Sequence, residues 1–101
     1  MKLTVKRVSS IRGLMFRRRP KIPVMFELGK SRIIHMVFVF YQIDIAILDE
    51  NCQVIATRRN LKPFMVYGIK NRLAKPFYCI EWPAGKMTVN EGDKVELEII
   101  N

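Results

Sequence analysis

The central run of the chain, from Ile33 to Asp49, constrains the fold more than any other segment. It reads IIHMVFVFYQIDIAILD, and its interior polar residues are a histidine, a glutamine and Asp44. The run is shorter than the roughly 20 apolar residues that a membrane-spanning helix needs. Its β-branched and aromatic residues favour strands. It therefore predicts two consecutive buried strands, Ile33–Tyr41 and Ile43–Leu48, with the carboxylate of Asp44 enclosed among apolar neighbours.

The rest of the chain predicts further short strands separated by turns. Strand-like patterns occur over residues 1–6, 24–28, 77–82 and 94–100. In the last of these, Val95, Leu97 and Ile99 are expected to face the core. A turn at residues 49–52 predicts a β-hairpin over residues 43–57, with Asn51 in the left-handed conformation. Residues 60–76 show no clean period and predict a long loop.

These elements indicate an all-β protein. About seven short strands separated by turns are typical of a small barrel or a jelly-roll-like sandwich. The length of 101 residues predicts a single domain over residues 1–101. One short helix is expected near residues 10–16, because Ser9 and Ser10 can cap its start and Pro20 prevents its continuation.

Positive charge is concentrated in the N-terminal third. Residues 1–32 carry ten Lys or Arg against one Glu, whereas residues 81–101 carry five acids against two Lys. One interpretation is a basic, thermophile-like soluble surface. A second is contact between the two oppositely charged ends of the chain. A third is an anionic partner, for which the candidate patch is Arg17, Arg18, Arg19 and Lys21; such a patch could neutralise nucleic-acid phosphates.

The start of the chain, MKLTVKRV, has no apolar stretch typical of a signal peptide, so we expect a cytoplasmic protein without a membrane span. Two cysteines do not form a disulfide framework, and free thiols at Cys52 and Cys79 are expected, with a bridge between them as the alternative. With one histidine in the chain and no zinc-like cysteine spacing, neither a metal site nor a cofactor is expected.

The segment from Met36 to Tyr41 shows no alternation, so both faces of this predicted strand require burial. One face can enter the core. The other could lie under the 60–76 loop, in a homodimer interface, or in an apolar ligand pocket. The candidate residues for such an interface or pocket are Met36, Phe38, Phe40 and Tyr41. The sequence leaves these three alternatives open.

Several segments occur in an order that resembles a known family. They are RGLMFR at Arg12–Arg17, IDIAILD at Ile43–Asp49, EWPAG at Glu81–Gly85, and the Gly92-Asp93 pair. In this order they resemble domain-of-unknown-function family 192, also called uncharacterised protein family 0127, from about Val5 to Ile99. The resemblance implies a small, mainly β domain with a short helix at the RGLMFR segment. It implies no known activity, cofactor or substrate.

The chain departs from the family pattern at four places. Val37-Phe38-Val39 follows Met36 where many members carry the polar triplet Lys-Asn-Thr. His35 stands where many members carry Trp, and Gln42 stands where Pro is usual. Cys52 replaces the Gly of the hairpin turn.

Asp44 is the first candidate for chemistry, because a buried carboxylate is costly unless it is paired. Arg12 and Arg17 are its expected partners, since a guanidinium can bind a carboxylate through two hydrogen bonds. We expect one of these arginines to contact Asp44 or Glu81. The alternative is that Asp44 points outward on a half-exposed face of the sheet. His35 completes a polar cluster that could bind a ligand or serve the structure alone.

Three functions remain open from the sequence. The first is a non-catalytic binding or interaction module of unknown ligand and partner. The second is a nucleic-acid-associated protein that uses residues 17–21. The third is a small enzyme that uses Asp44, Glu81 and His35.

Overall fold

The computed structural model describes residues 2–8, 22–28, 33–35, 41–62, 66–68 and 77–100. In this part of the chain there are eight strands and no helix. The strands are β1 (Lys2–Arg7), β2 (Val24–Glu27), β3 (Ile33–His35), β4 (Ile43–Leu48), β5 (Val54–Leu61), β6 (Val66–Gly68), β7 (Tyr78–Pro83) and β8 (Glu96–Ile100). The all-β prediction is confirmed. The expected helix near residues 10–16 lies outside the described residues.

Six of the strands form one mixed sheet in the order β5-β4-β7-β2-β1-β8. The pairs β5–β4, β4–β7 and β7–β2 are antiparallel, whereas β2–β1 and β1–β8 are parallel. Strands β3 and β6 form a separate antiparallel pair. Strand β4 therefore lies inside the large sheet, with β5 and β7 on either side.

The large sheet is not a closed barrel. The start of β5 approaches the segment before β8 through a bridge between Gln53 and Lys94, where the Val54 amide donates to the Asp93 carbonyl at 2.8 Å. The Val95 amide then donates to the Cys52 carbonyl at 2.9 Å. The chain thus runs past the start of β5 toward the hairpin turn, and β5 and β8 do not pair with each other in the described part of the chain. The barrel expectation is wrong for this sheet.

Apolar side chains cover both faces of the sheet. Cluster A, on one face, consists of Val24, Phe26, Leu28, Ile43, Ile45, Ile47, Leu61 and Cys79. Cluster B, on the other face, consists of Val5, Met25, Ala46, Leu48, Val54, Ile80, Trp82, Met87, Val89 and Val95. All six residues of β4 are buried, which agrees with its lack of polar alternation.

The prediction that the strand before β4 reaches Tyr41 is wrong. Strand β3 comprises Ile33–His35 among the described residues, and Tyr41 lies in a bend outside any strand, half-buried against cluster A. Met36, Phe38 and Phe40 lie outside the described residues.

The predicted loop over residues 60–76 is also wrong in part. Strand β5 continues to Leu61, and β6 occupies Val66–Gly68. A three-residue strand is too short to show a period, and a bulge interrupts the alternation in β5.

The hairpin of β4 and β5 is confirmed, but its turn differs from the prediction. Cys52, not Asn51, has a positive φ, at 61°. The Cys52 amide donates to the Asp49 carbonyl at 3.0 Å, and the Asp49 carboxylate accepts from the amides of Asn51 and Gln53. The left-handed residue therefore follows the turn closed by Asp49, a position that glycine favours in such hairpins.

Strand β8 differs in burial from the prediction. Val95 is buried and Leu97 is half-buried against cluster B, as expected, but Ile99 is 42% exposed. The reason is that β8 lies at the end of the sheet, with cluster B beneath only its first residues.

Candidate functional site

Asp44 is the second residue of β4, near one end of the strands, and is only 1% exposed. Its Oδ1 accepts a hydrogen bond from the Asn60 amide at 2.9 Å, and its Oδ2 accepts one from the Gly85 amide at 3.0 Å. Arg59 approaches the same Oδ2 with Nη1 at 3.8 Å. The buried charge is thus compensated by two backbone donors and one guanidinium, as a buried carboxylate requires.

Asn60 reaches Asp44 because β5 contains a bulge. Ile43 pairs with Leu61 and Ile45 pairs with Arg58, so Arg59 and Asn60 together lie opposite Asp44. Asn60 has a positive φ of 57°, a conformation that Asn tolerates better than most residues. The extra residue moves Leu61 onto the face of cluster A, where it packs beside Ile43.

Gly85 reaches Asp44 because β7 ends in a tight turn. The Lys86 amide donates to the Pro83 carbonyl at 3.1 Å, and Gly85 has a φ of 84°. A positive φ at the third position of such a turn is the reason for glycine there. The Ala84 amide donates to the Gln42 carbonyl. Asp44 therefore ties the end of β5 and the end of β7 to β4.

Cationic side chains surround this end of the sheet. Exposed cations here are Arg58, Arg59, Lys62 and Lys86. The Arg59 side chain is 50% exposed although it approaches Asp44. The exposed acids Glu50 and Glu91 lie in turns at the opposite end of the hairpin. The Asp44 end of the hairpin is therefore basic.

Glu81 is also buried, at 3% exposed, but it lies on the other face. Asp44 pairs with Trp82, and Ile45 pairs with Glu81. Because side chains alternate between faces along a strand, Glu81 points with Ile45 toward cluster A, and Asp44 points with Trp82 toward cluster B. The sheet separates the two carboxylates.

The two cysteines are free thiols, as expected. Burial is the main cause that raises the pKa of the Cys79 thiol well above its ordinary value, and the charge of Glu81 adds to it. The pKa of Cys52 is raised by burial and by Asp49, against an opposing effect of Lys94. A buried thiol with a raised pKa is a poor nucleophile.

The other expected site residues are only partly placed. His35 lies in β3, where it pairs with Val66 of β6, and not in the large sheet. The candidate partners Arg12 and Arg17, and the rest of the basic patch, Arg18, Arg19 and Lys21, lie outside the described residues. Their contacts with Asp44 or Glu81 stay a prediction.

Arg59, Asn60 and Gly85 were missed by the sequence analysis. The hairpin offered a signal, since counting back from the turn at Asp49 places the end of β5 opposite Asp44. Two register shifts obscure that count, because the β4–β5 pairing changes between Ile43 and Ile45 and again between Ile47 and Leu48.

Within the described ranges, no group of three His, Cys, Asp or Glu side chains could hold a metal ion. None of the described segments forms a helix long and apolar enough to cross a membrane.

The chain matches one family model and is similar in fold to a solved structure. The family model of domain-of-unknown-function family 192, described as "Uncharacterized ACR", matches residues 2–97. The chain is also similar to a crystal structure from Sinorhizobium meliloti 1021 that carries the name "putative transcription regulator". The TM-score is 0.64 at 21% identity, and the match covers 80% of this chain and 68% of that chain. No curated protein matches the chain.

Proposed function

This chain belongs to domain-of-unknown-function family 192, and with that membership as the premise we propose that it is a non-catalytic binding or interaction module. The observation that carries the proposal is the arrangement of the two buried carboxylates. Asp44 and Glu81 point to opposite faces of one sheet. An acid and a base that act on one substrate must both come within hydrogen-bond reach of it.

The contacts of Asp44 support the same proposal. Each of its oxygens already accepts a backbone amide from a different chain segment. A carboxylate engaged in this way fixes the local backbone, and its removal would leave two donors without acceptors. Its role is to position the end of the sheet.

The test identifies which compounds the protein binds and asks whether the protein converts them chemically. The full chain is purified from its native host under mild conditions, and compounds that accompany it are identified by native mass spectrometry. A binding module returns each compound chemically unchanged after incubation. Conversion that is lost in Glu81→Gln, with an unaltered unfolding temperature, would refute the non-catalytic proposal.

A second candidate is association with nucleic acid through residues 17–21. The net charge of +9 supports it. The Sinorhizobium protein of similar fold is named as a regulator of transcription, which offers support by analogy of fold. The test is binding to a 12-nucleotide single-stranded DNA and to a duplex at low and physiological salt. Absence of binding at low salt, or binding unaltered by replacing Arg17, Arg18 and Arg19 with Ala, would contradict it.

A further inference from the structure

The Asp44 end of the sheet gathers three cations from two chain segments. Leu61 and Pro83 both pair with Ile43, so β5 and β7 end at the same level on either side of β4. Lys62 follows β5 directly, and Lys86 lies three residues after β7. Adjacent strands are about 4.8 Å apart, so the two strand ends lie about 10 Å from each other.

Arg59 lies in β5, three residues before Lys62. Its Nη1 is 3.8 Å from Asp44 Oδ2, while the Gly85 amide is 3.0 Å from that same oxygen. A separation of 3.8 Å is too long for a hydrogen bond, so the guanidinium is held near Asp44 by charge while its N–H donors stay available. With half of the side chain exposed, those donors can reach a ligand.

The charge at this end is not balanced by the described residues. Lys62 and Lys86 are exposed and form no ion pair within the described part of the chain. Asp44, the acid that approaches Arg59, is buried and already engaged by two amides.

Among the described residues, the surface at Gly85 is open. Gly85 is exposed, and a Cβ added there would meet no atom within 4 Å. No side chain of the described residues therefore blocks the approach of a ligand over Gly85, whose amide shares Asp44 Oδ2 with Arg59.

We infer that Arg59, Lys62 and Lys86 form a binding site for a phosphate-bearing anion. A guanidinium binds phosphate through two parallel N–H···O bonds, and lysines add charge from the sides. The inference rests on the proposed function as a binding module and names the chemistry of its ligand. The phosphate group belongs either to a small anion or to a nucleic-acid backbone.

Arg58 supplies a matched control. It precedes Arg59 and is equally exposed, but it pairs with Ile45, whose side chain belongs to cluster A, so Arg58 points to the opposite face. Arg58→Ala and Arg59→Ala remove the same charge from neighbouring positions. Only Arg59→Ala removes it from the proposed site.

The experiment titrates the full chain with sodium pyrophosphate at low salt and follows amide shifts by NMR. Saturable shifts are expected at residues 59, 62, 85 and 86. Arg59→Ala should weaken binding by about tenfold or more, and Arg58→Ala by less than about twofold. The Lys62→Ala/Lys86→Ala double variant, which retains every Asp44 contact, should weaken it by about tenfold.

A second titration uses a 12-nucleotide single-stranded DNA. If the DNA binds through Arg59 and pyrophosphate does not bind, the proposed site is supported and its ligand is a nucleic-acid backbone. Equal weakening by Arg58→Ala and Arg59→Ala, or no shift at residues 59 and 86 with either probe, would overturn the site. Neither result bears on catalysis. The proposal of a non-catalytic binding module is tested separately, by whether the protein converts the compounds that accompany it.

Discussion

Asp44 and Glu81 stand one position apart in neighbouring strands, yet their carboxylates point to opposite faces of the sheet. Asp44 lies on the side of Trp82 and cluster B, and Glu81 on the side of Ile45 and cluster A. The same alternation that allows β4 to be apolar on both faces thus separates the two acids. Asp44 instead holds the backbone at the ends of β5 and β7 through the amides of Asn60 and Gly85.

Asp44→Ala should destabilise the protein strongly. The change removes the acceptor of the Asn60 and Gly85 amides, whose hydrogen bonds to Asp44 are partly buried, and hydrogen bonds to a charged group contribute about 1.5–3 kcal/mol each. We expect a loss of about 3 kcal/mol in the free energy of unfolding, measured by urea denaturation.

Asp49→Ala is the control for that change. Asp49 also accepts two backbone amides, from Asn51 and Gln53, but in an exposed turn. Water can replace its bonds, so the loss should be about 1 kcal/mol or less. Equal losses for the two variants would contradict a buried, position-holding Asp44.

Asn60→Val should destabilise the protein by about 1–2 kcal/mol, because a β-branched residue resists the positive φ that the bulge requires. Asn60→Gly keeps both the conformation and the amide donor, and should stay within about 0.5 kcal/mol of the wild type. Thr57→Val, at a regular position of β5, is the control and should not destabilise. Thermal unfolding distinguishes these outcomes; an Asn60→Val protein as stable as the wild type would argue against the bulge.

Cys52→Gly should stabilise the hairpin. Cys52 has a φ of 61°, which costs an L-residue about 1 kcal/mol and glycine almost nothing. We expect a gain of about 0.5 kcal/mol after the loss of its packing against cluster B. Asn51→Gly, one residue earlier and without a positive φ, should instead lower stability. If Asn51→Gly were more stable than Cys52→Gly in urea denaturation, the residue with the positive φ would be Asn51, contrary to the account.

Stability should fall at alkaline pH because of Cys79. Burial, with the charge of Glu81, raises the pKa of this thiol in the folded protein well above its ordinary value of 9.0. Above that pH the unfolded chain loses the thiol proton and the folded chain keeps it, so stability present below about pH 9 is lost as the pH rises.

Cys79→Ala removes this dependence. Its free energy of unfolding should fall less steeply between about pH 8 and 10 than that of the wild type. Cys52→Ala, at a half-buried turn, should change the slope less. Parallel wild-type and Cys79→Ala curves in urea denaturation at several pH values would contradict the prediction.

The sheet could be predicted from the sequence because burial leaves a strong pattern. An apolar run with β-branched residues allowed β4 to be recognised as a buried strand that contains Asp44. The same pattern could not show how far β3 extends, since apolar residues in a bend, such as Tyr41, resemble those in a strand.

The partners of Asp44 could not be predicted in the same way. A charge argument directed attention to Arg12 and Arg17, because a carboxylate attracts guanidinium groups. Two of the observed partners are backbone amides, at Asn60 and Gly85, and every residue type except proline carries such a donor. Their approach depends on a bulge and a glycine turn, which are visible only once the register is known.

Amide hydrogen exchange at Asn60 and Gly85 tests the role of Asp44 most directly. In the wild type both amides should exchange slowly, and both should lose protection in Asp44→Ala while those of Asn51 and Gln53 keep their wild-type rates. If Asn60 and Gly85 exchange in the wild-type protein as fast as free loop amides, the carboxylate does not hold these two strand ends.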